Sequence, residues 1–372
     1  MSAENEYSPG LEGVIAAETS ISYLDVEQEQ IVIRGYDLIE LAENRHFLDV
    51  AHLLLYGSLP KTGEKQSFQD RLYQQLDLPE SLTSSFSLFP ASMSAMDMLR
   101  TGISLLAGSE KHMHDHSAEA NQEKAVKLLG AIPAIMAGSY RTQQQESLIS
   151  PDPSMSFSAN MLHMLTGKTP TALETEVFDQ SLVAYIEHEM PNSTFAARVI
   201  ASTQADMYGA FTGAVASLKG PLHGGANEAV MHLLLEAGTP DGVERLFREK
   251  LANKERIMGF GHRVYMKKMD PRAQLMKKSL HRLAEKQDRM DLYDMCVRGE
   301  ELIAEEKGLH PNLDYYAAPV YYLLGIPIDL YTPIFFASRA AGLGAHVIEQ
   351  HSNNRLFRPR VNYTGPRGIT LT

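Results

Sequence analysis

Gly220-Pro221-Leu222-His223-Gly224-Gly225-Ala226-Asn227 is the stretch from which the rest of the chain is read. Its Gly-Pro opening and Gly-Gly pair make a tight, irregular loop, because glycine accepts backbone angles that other residues avoid. A helical pattern follows at once, with Ala226, Val230, Leu233 and Leu234 on one face and Gly238 just past the end. His223 therefore sits at or just before a helix N-terminus. There the macrodipole disfavours an imidazolium, which leaves a neutral ring able to donate a hydrogen bond. A capping or packing histidine explains this stretch equally well, and other residues must decide.

Outward from this loop the helical period recurs in both directions. Asp37 can cap a short helix through Leu41, and Phe47, Val50, Ala51, Leu54 and Leu55 mark another that stops at Gly57. Further helices are expected over 62–76, 93–107, 121–142, 155–166 and 171–189, the 121–142 helix kinked at Pro133. Thr194 to Leu218 is rich in small residues, with Gly209 and Gly213 four apart, and reads as a closely packed central or dimer-interface pair. Past Ala237 come the loop Gly259-Phe260-Gly261, a helix opened by Asp270-Pro271, and helices over 291–307, 315–324 and 333–351. Only residues 13–33, with Val14, Ile15, Ile21, Ile31, Val32 and Ile33, read as a hairpin. The expected fold class is all-α with one short N-terminal β-hairpin.

A chain of 372 residues can form two domains or one large core with a smaller lobe. Its net charge of -12 argues against a nucleic-acid partner, which demands a basic face. No apolar run approaches bilayer-spanning length, and the N-terminus carries no basic-then-apolar signal. The single cysteine, Cys296, cannot form an internal disulfide. A cytoplasmic protein is the expectation.

Several groups of residues could carry chemistry besides His223. Ile257-Met258-Gly259-Phe260-Gly261-His262-Arg263-Val264-Tyr265 has glycines that let backbone lie close to a flat or phosphorylated ligand, but it follows no strand of a βαβ unit, so a dinucleotide fold is rejected. Asp314 precedes a helix, and its position alone favours an N-cap. Arg272, Arg339 and Arg358 sit in structured or apolar surroundings, where a guanidinium needs a carboxylate, from a substrate or from the protein itself. His112, His114 and His116 resemble metal ligands but lack the helical spacing of a zinc site, so no metal is expected.

Taken in order, these stretches resemble the citrate synthase family, closest to its short bacterial citrate and 2-methylcitrate synthases. The matching runs are Ile33 to Asp37, Met96 to Gly102, His188 to Phe195, Gly220 to Asn227, Gly259 to Tyr265, Asp270 to Arg272, Asn312 to Asp314 and Arg358 to Arg360. The resemblance implies a large helical domain (1–224 and 324–372) and a small one (225–323) that closes over the substrates. It also implies condensation of an acyl-CoA, acetyl or propionyl, with oxaloacetate, and no prosthetic group. In that scheme Asp314 is the base, His223 stabilises the enolate and His262 acts on the oxaloacetate carbonyl. His188, Arg272, Arg339 and the partner subunit's Arg358 hold carboxylates, and residues 256–261 follow the adenine of CoA. A homodimer is implied, since the extension of the hexameric branch is not seen. The His262-to-Arg272 segment is one residue longer than the family pattern, which leaves Lys267 and Lys268 open as phosphate contacts. The competing reading is a catalytically silent CoA-binding protein on the same scaffold.

Overall fold

The computed structural model describes residues 7–25, 27–261 and 268–370. Among them sixteen α-helices follow a small sheet. The first eight are α1 (Leu38–Asn44), α2 (Phe47–Tyr56), α3 (Thr62–Leu76), α4 (Glu80–Thr83), α5 (Ala95–Ala107), α6 (Ala118–Gln143), α7 (Phe157–Thr166) and α8 (Ala172–Tyr185). The second eight are α9 (Asn192–Ala201), α10 (Met207–Leu218), α11 (Ala226–Ala237), α12 (Pro240–Ala252), α13 (Pro271–Lys286), α14 (Met290–Lys307), α15 (Leu313–Leu323) and α16 (Tyr331–Ser352).

Local chemistry explains most helix ends. The Asp37 carboxylate accepts the Glu40 N–H at 2.9 Å, and α1 runs on to Asn44 rather than stopping at Leu41. Gly57 and Gly238 end α2 and α11 in the left-handed conformation, at φ 81° and 70°. The expected helix over 171–189 stops at Tyr185, and Glu189 adopts φ 61°. That early stop leaves His188 on non-helical backbone.

The hairpin is smaller than the β-branched residues suggested. Strands β1 (Ser22–Asp25) and β2 (Gln30–Ile33) pair antiparallel, and β3 (Tyr36–Asp37) adds a third, short strand. Val14 and Ile15 lie outside it and are exposed, because no strand lies beside them to pair with.

The core gathers around α16, whose residues from Tyr331 to Val347 are nearly all buried and which packs on α2, α6, α8, α9 and α10. A helix apolar on all sides needs such neighbours. The α9–α10 pair is closely packed, as its composition implied. A Cβ at Gly213 would collide with Ile200, whereas Gly209 serves instead to give its N–H to the Asp206 cap. Helices α11 to α15 pack mainly on one another and meet the rest chiefly through α8 and α16. Among the described residues no helix is long and apolar enough to cross a membrane.

Candidate active site

Asp314 lies in the first turn of α15, and the cap belongs to its neighbour. The Asn312 side chain accepts the Asp314 N–H at 3.1 Å, so the Asp314 carboxylate has no capping duty. Instead the Tyr185 hydroxyl donates to it at 2.6 Å from the end of α8. Burial holds the Asp314 carboxyl above the ordinary carboxylate range, partly offset by that hydrogen bond and by the nearby charges of Arg272 and Arg339. The N-cap reading that position favoured is thereby overturned: Asn and Asp cap almost equally well, and only one of two adjacent candidates can do so.

The segment leading into α15 is sewn to the glycine loop. Asn312 donates its N–H to the Gly259 carbonyl at 2.9 Å and its side-chain amide to the Gly261 carbonyl at 3.1 Å. The Gly261 N–H reaches the His310 carbonyl at 2.9 Å. Gly259 has φ +89°, and a Cβ there would press on Val230 at 2.7 Å and Tyr315 at 2.9 Å, so only glycine fits. Phe260 turns inward, its ring 4.4 Å from that of Tyr315, and Ile257 is buried. Any ligand along 256–261 thus meets backbone, Arg256 and the half-buried Met258. His262 lies outside the described residues.

Arg272 and Arg339 converge near Asp314 from α13 and α16. Asp270 caps α13 through the Arg272 N–H and grips the same residue's guanidinium, with Nε at 3.0 Å and Nη2 at 2.7 Å. This bidentate pair is buried and fixes the fork's direction. Arg339 donates Nε to the Tyr185 carbonyl at 2.8 Å and lies 4.9 Å over the Phe335 ring. Burial pulls its pKa down to about 10. Its Nη1 is buried without a hydrogen-bond partner among the described residues, as suits a group awaiting an anion. His188 is buried just past α8.

His223 occupies the turn before α11, and its Nε2 lies 3.2 Å from the Ser193 N–H and 2.9 Å from the Ser193 Oγ. An amide can only donate, so Nε2 is the acceptor and the neutral ring carries its proton on Nδ1. Burial, then the charge of Arg339, lowers the His223 pKa to about 4. The ring therefore stays neutral, the state inferred from the helix that follows it. Ser193 is in the first turn of α9, whose N–H groups have no helical partner, so two helix N-termini face this ring.

One expected member stands apart. Arg358 is exposed on the extended tail. Of the rejected metal set, His112 and His114 are exposed, and the His116 ring lies 4.3 Å from that of His351. Tyr185, Ser193 and Asn312 were given no role of their own in the sequence, and Asp270 only that of a helix cap. Asp270 and Asn312 were visible as cap residues; Tyr185 in an apolar run carries no local signal.

The family model described as "Citrate synthase, C-terminal domain" matches residues 10–360. The chain is 60% identical to the citrate/2-methylcitrate synthase of Bacillus subtilis, over 99% of both chains. It is 56% identical to the citrate synthase of Heyndrickxia coagulans, covering 99% of this chain and 98% of that one. Its backbone matches citrate synthase of Thermoplasma acidophilum, solved with carboxymethyl coenzyme A and oxaloacetate, with TM-score 0.92, 32% identity and coverage of 99% and 98%. In sequence along nearly its whole length and in backbone throughout, the chain belongs to the citrate synthase family.

Proposed function

We propose that the protein condenses an acyl-CoA with oxaloacetate and hydrolyses the resulting thioester, giving citrate or 2-methylcitrate and free CoA. The carrying observation is the Asp314 carboxylate, released from capping by Asn312 and enclosed beside two arginines. Asp314 takes a proton from the carbon next to the thioester carbonyl. A carboxylate whose ordinary pKa is about 4 is too weak for this alone, so the forming enolate needs a donor. The neutral His223 supplies its Nδ1–H, and a low pKa keeps that proton in place at neutral pH.

The enolate carbon then attacks the oxaloacetate carbonyl, with His262 donating the proton that the new hydroxyl requires. Arg339, Arg272 and His188 hold the oxaloacetate carboxylates, and the partner subunit's Arg358 completes the grip in a homodimer. Water finally cleaves the thioester. Residues 256–261 run along the adenine of CoA through their backbone. The small domain, 225–323, closes on the large one, 1–224 and 324–372, which excludes water until the carbon–carbon bond exists. The names of the relatives, one of them dual, support both acetyl-CoA and propionyl-CoA as substrates, since one methylene discriminates by only about 1–3 kcal/mol.

Release of CoA thiol from oxaloacetate with acetyl-CoA, and then with propionyl-CoA, tests this reading beside an Asp314→Asn control. Both substrates are expected to turn over, and the control to lose about a thousandfold in kcat. Thiol release no faster than the control with either acyl-CoA would leave a silent CoA-binding scaffold instead.

A further inference from the structure

We propose that Tyr185 is a positioning residue that sets the base and the oxaloacetate-binding arginine in register, with its hydroxyl on Asp314 and its carbonyl on Arg339. The inference rests on the reading of Asp314 as the base. Tyr185 is the last residue of α8, where helix carbonyls lose their partners. Its carbonyl is satisfied by Arg339 Nε at 2.8 Å, and its hydroxyl donates to Asp314 Oδ1 at 2.6 Å. One residue therefore touches both halves of the site, which lie on α15 and α16.

The ring that carries this hydroxyl has little freedom. It is 1% exposed and packs against Phe335 at 4.7 Å and Tyr321 at 6.5 Å between ring centres. Burial and the Asp314 charge hold its own pKa well above the ordinary tyrosine value, so it stays a donor throughout the working range. A carboxylate could otherwise rotate about two side-chain torsions; one short bond from a fixed phenol removes most of that freedom. In the domain division proposed above, Tyr185 belongs to 1–224 and Asp314 to 225–323. The base is thus aimed by the lobe that holds oxaloacetate, and the bond is made across the two lobes.

Several ionisable groups face Asp314, and the phenol is one of them. Arg272 and Asp270 approach from the start of α13, Arg339 from α16, Tyr185 from α8, and Tyr321 from further along α15. Burial raises the Asp314 pKa, and the Tyr185 hydrogen bond is the largest influence lowering it. Without the phenol the pKa rises further. Because the base works only when ionised, the acid limb of kcat/KM must then move to higher pH.

The experiment is the pH profile of kcat/KM for Tyr185→Phe in the full-length enzyme, with oxaloacetate binding followed by calorimetry. The acid limb is expected to rise by about one pH unit and the plateau kcat to fall about tenfold. Oxaloacetate affinity should change less than about twofold, because Arg339 is held by main chain. Replacing Tyr185 with 3-fluorotyrosine keeps the ring and strengthens the donor, and should move the limb to lower pH; it also serves if the phenylalanine variant folds poorly. An unmoved limb in both variants, or a weakened oxaloacetate affinity with kcat intact, overturns the proposal. Asp314→Asn separates the two readings. If it retains turnover, the base assignment fails and this inference with it. If it is inactive while both Tyr185 variants keep the parent profile, only the role of Tyr185 fails.

Discussion

Two clusters of charge use the same residue types to opposite ends. On the faces of α12 and α14, Glu244 accepts Arg248 Nε at 3.0 Å and Arg298 Nε at 3.1 Å, with Glu306 pairing to Arg248, and every partner is between 33% and 46% exposed. Hydrogen bonds from Arg298 and Arg248 hold the Glu244 carboxyl below its ordinary range. In the candidate site and beside it, Glu187 and His346 are wholly buried, Arg339 is 2% exposed, and burial raises Asp314 instead. Arg198 donates to His346 Nδ1 at 2.8 Å, so that histidine is neutral and gives its Nε2–H to Glu187 at 3.1 Å. On the surface each charge has a partner and water besides. In the interior the negative charge of Glu187 is the main influence raising the Arg339 pKa, and Arg339 keeps a donor unspent. Such an arrangement costs stability, a cost that an anion held by Arg339, as proposed above, would offset.

Replacing Arg339 by glutamine is the largest break in this comparison. It removes the positive charge facing Glu187 and the donor to the Tyr185 carbonyl, and all three residues are buried. Loss of a buried charge partner costs about 3–5 kcal/mol, so thermal unfolding should shift down clearly. Oxaloacetate affinity, read by calorimetry, should fall about a hundredfold, the worth of a charge-assisted hydrogen bond of about 2–3 kcal/mol. Unchanged affinity would remove Arg339 from the carboxylate grip.

Acid sharpens the same contrast. The folded-state pKa of His223 is about 4 and that of His351 is also about 4, each lowered first by burial. Both lie below the ordinary value near 6.5, so the unfolded chain binds protons that the folded chain refuses. The stability from these two rings is complete above about pH 6.5 and drains away as pH falls toward 4. Asp314, with its raised pKa, runs the other way and relieves a penalty on acidification. Glu189 and Glu228, also raised by burial, and His46, raised by its hydrogen bond to Asp179, run the same way as Asp314, so the contribution of the two rings is read by difference. A variant carrying His223→Gln and His351→Gln should lose less melting temperature between pH 7 and pH 5 than the parent, and an equal loss in both would mean that the rings are not buried as described.

Much of this was written locally. The loop at Gly220 and the helix it opens, the cap at Asp37, the stop at Gly57 and the Asp270-Pro271 start all follow from backbone chemistry within a few residues. Close packing of α9 on α10 could be read from glycine spacing, though only Gly213 serves it. What stayed hidden is tertiary. Tyr185 and Asp314 are 129 residues apart, and a tyrosine in an apolar run looks like core, which it also is. The choice between Asn312 and Asp314 as cap could not be made locally, because their capping strengths are nearly equal. Residues 13–20 show the converse error, since β-branched residues make a strand only where another strand is present to pair.

The smallest expected effect belongs to the surface cluster. Glu244→Gln removes an acceptor shared by two arginines, yet Arg248 keeps Glu306 and Arg298 keeps Glu301 at 3.5 Å. Exposed pairs contribute little, because water and salt replace the lost partner. The melting temperature should move by no more than about 1 °C, and kcat and both KM values should be unchanged within error. If the variant instead lost several degrees, or if its loss vanished in high salt, the surface network would be acting as a unit. Exposure would then no longer be what separates it from the buried cluster around Arg339. Neighbouring α12 and α14 depend on the network least where Val243, Phe247 and Gly299 already pack them together through the core, the glycine leaving room for the Phe247 ring. Apolar contact there sets the geometry, and the charges outside it only decorate a junction that is already made.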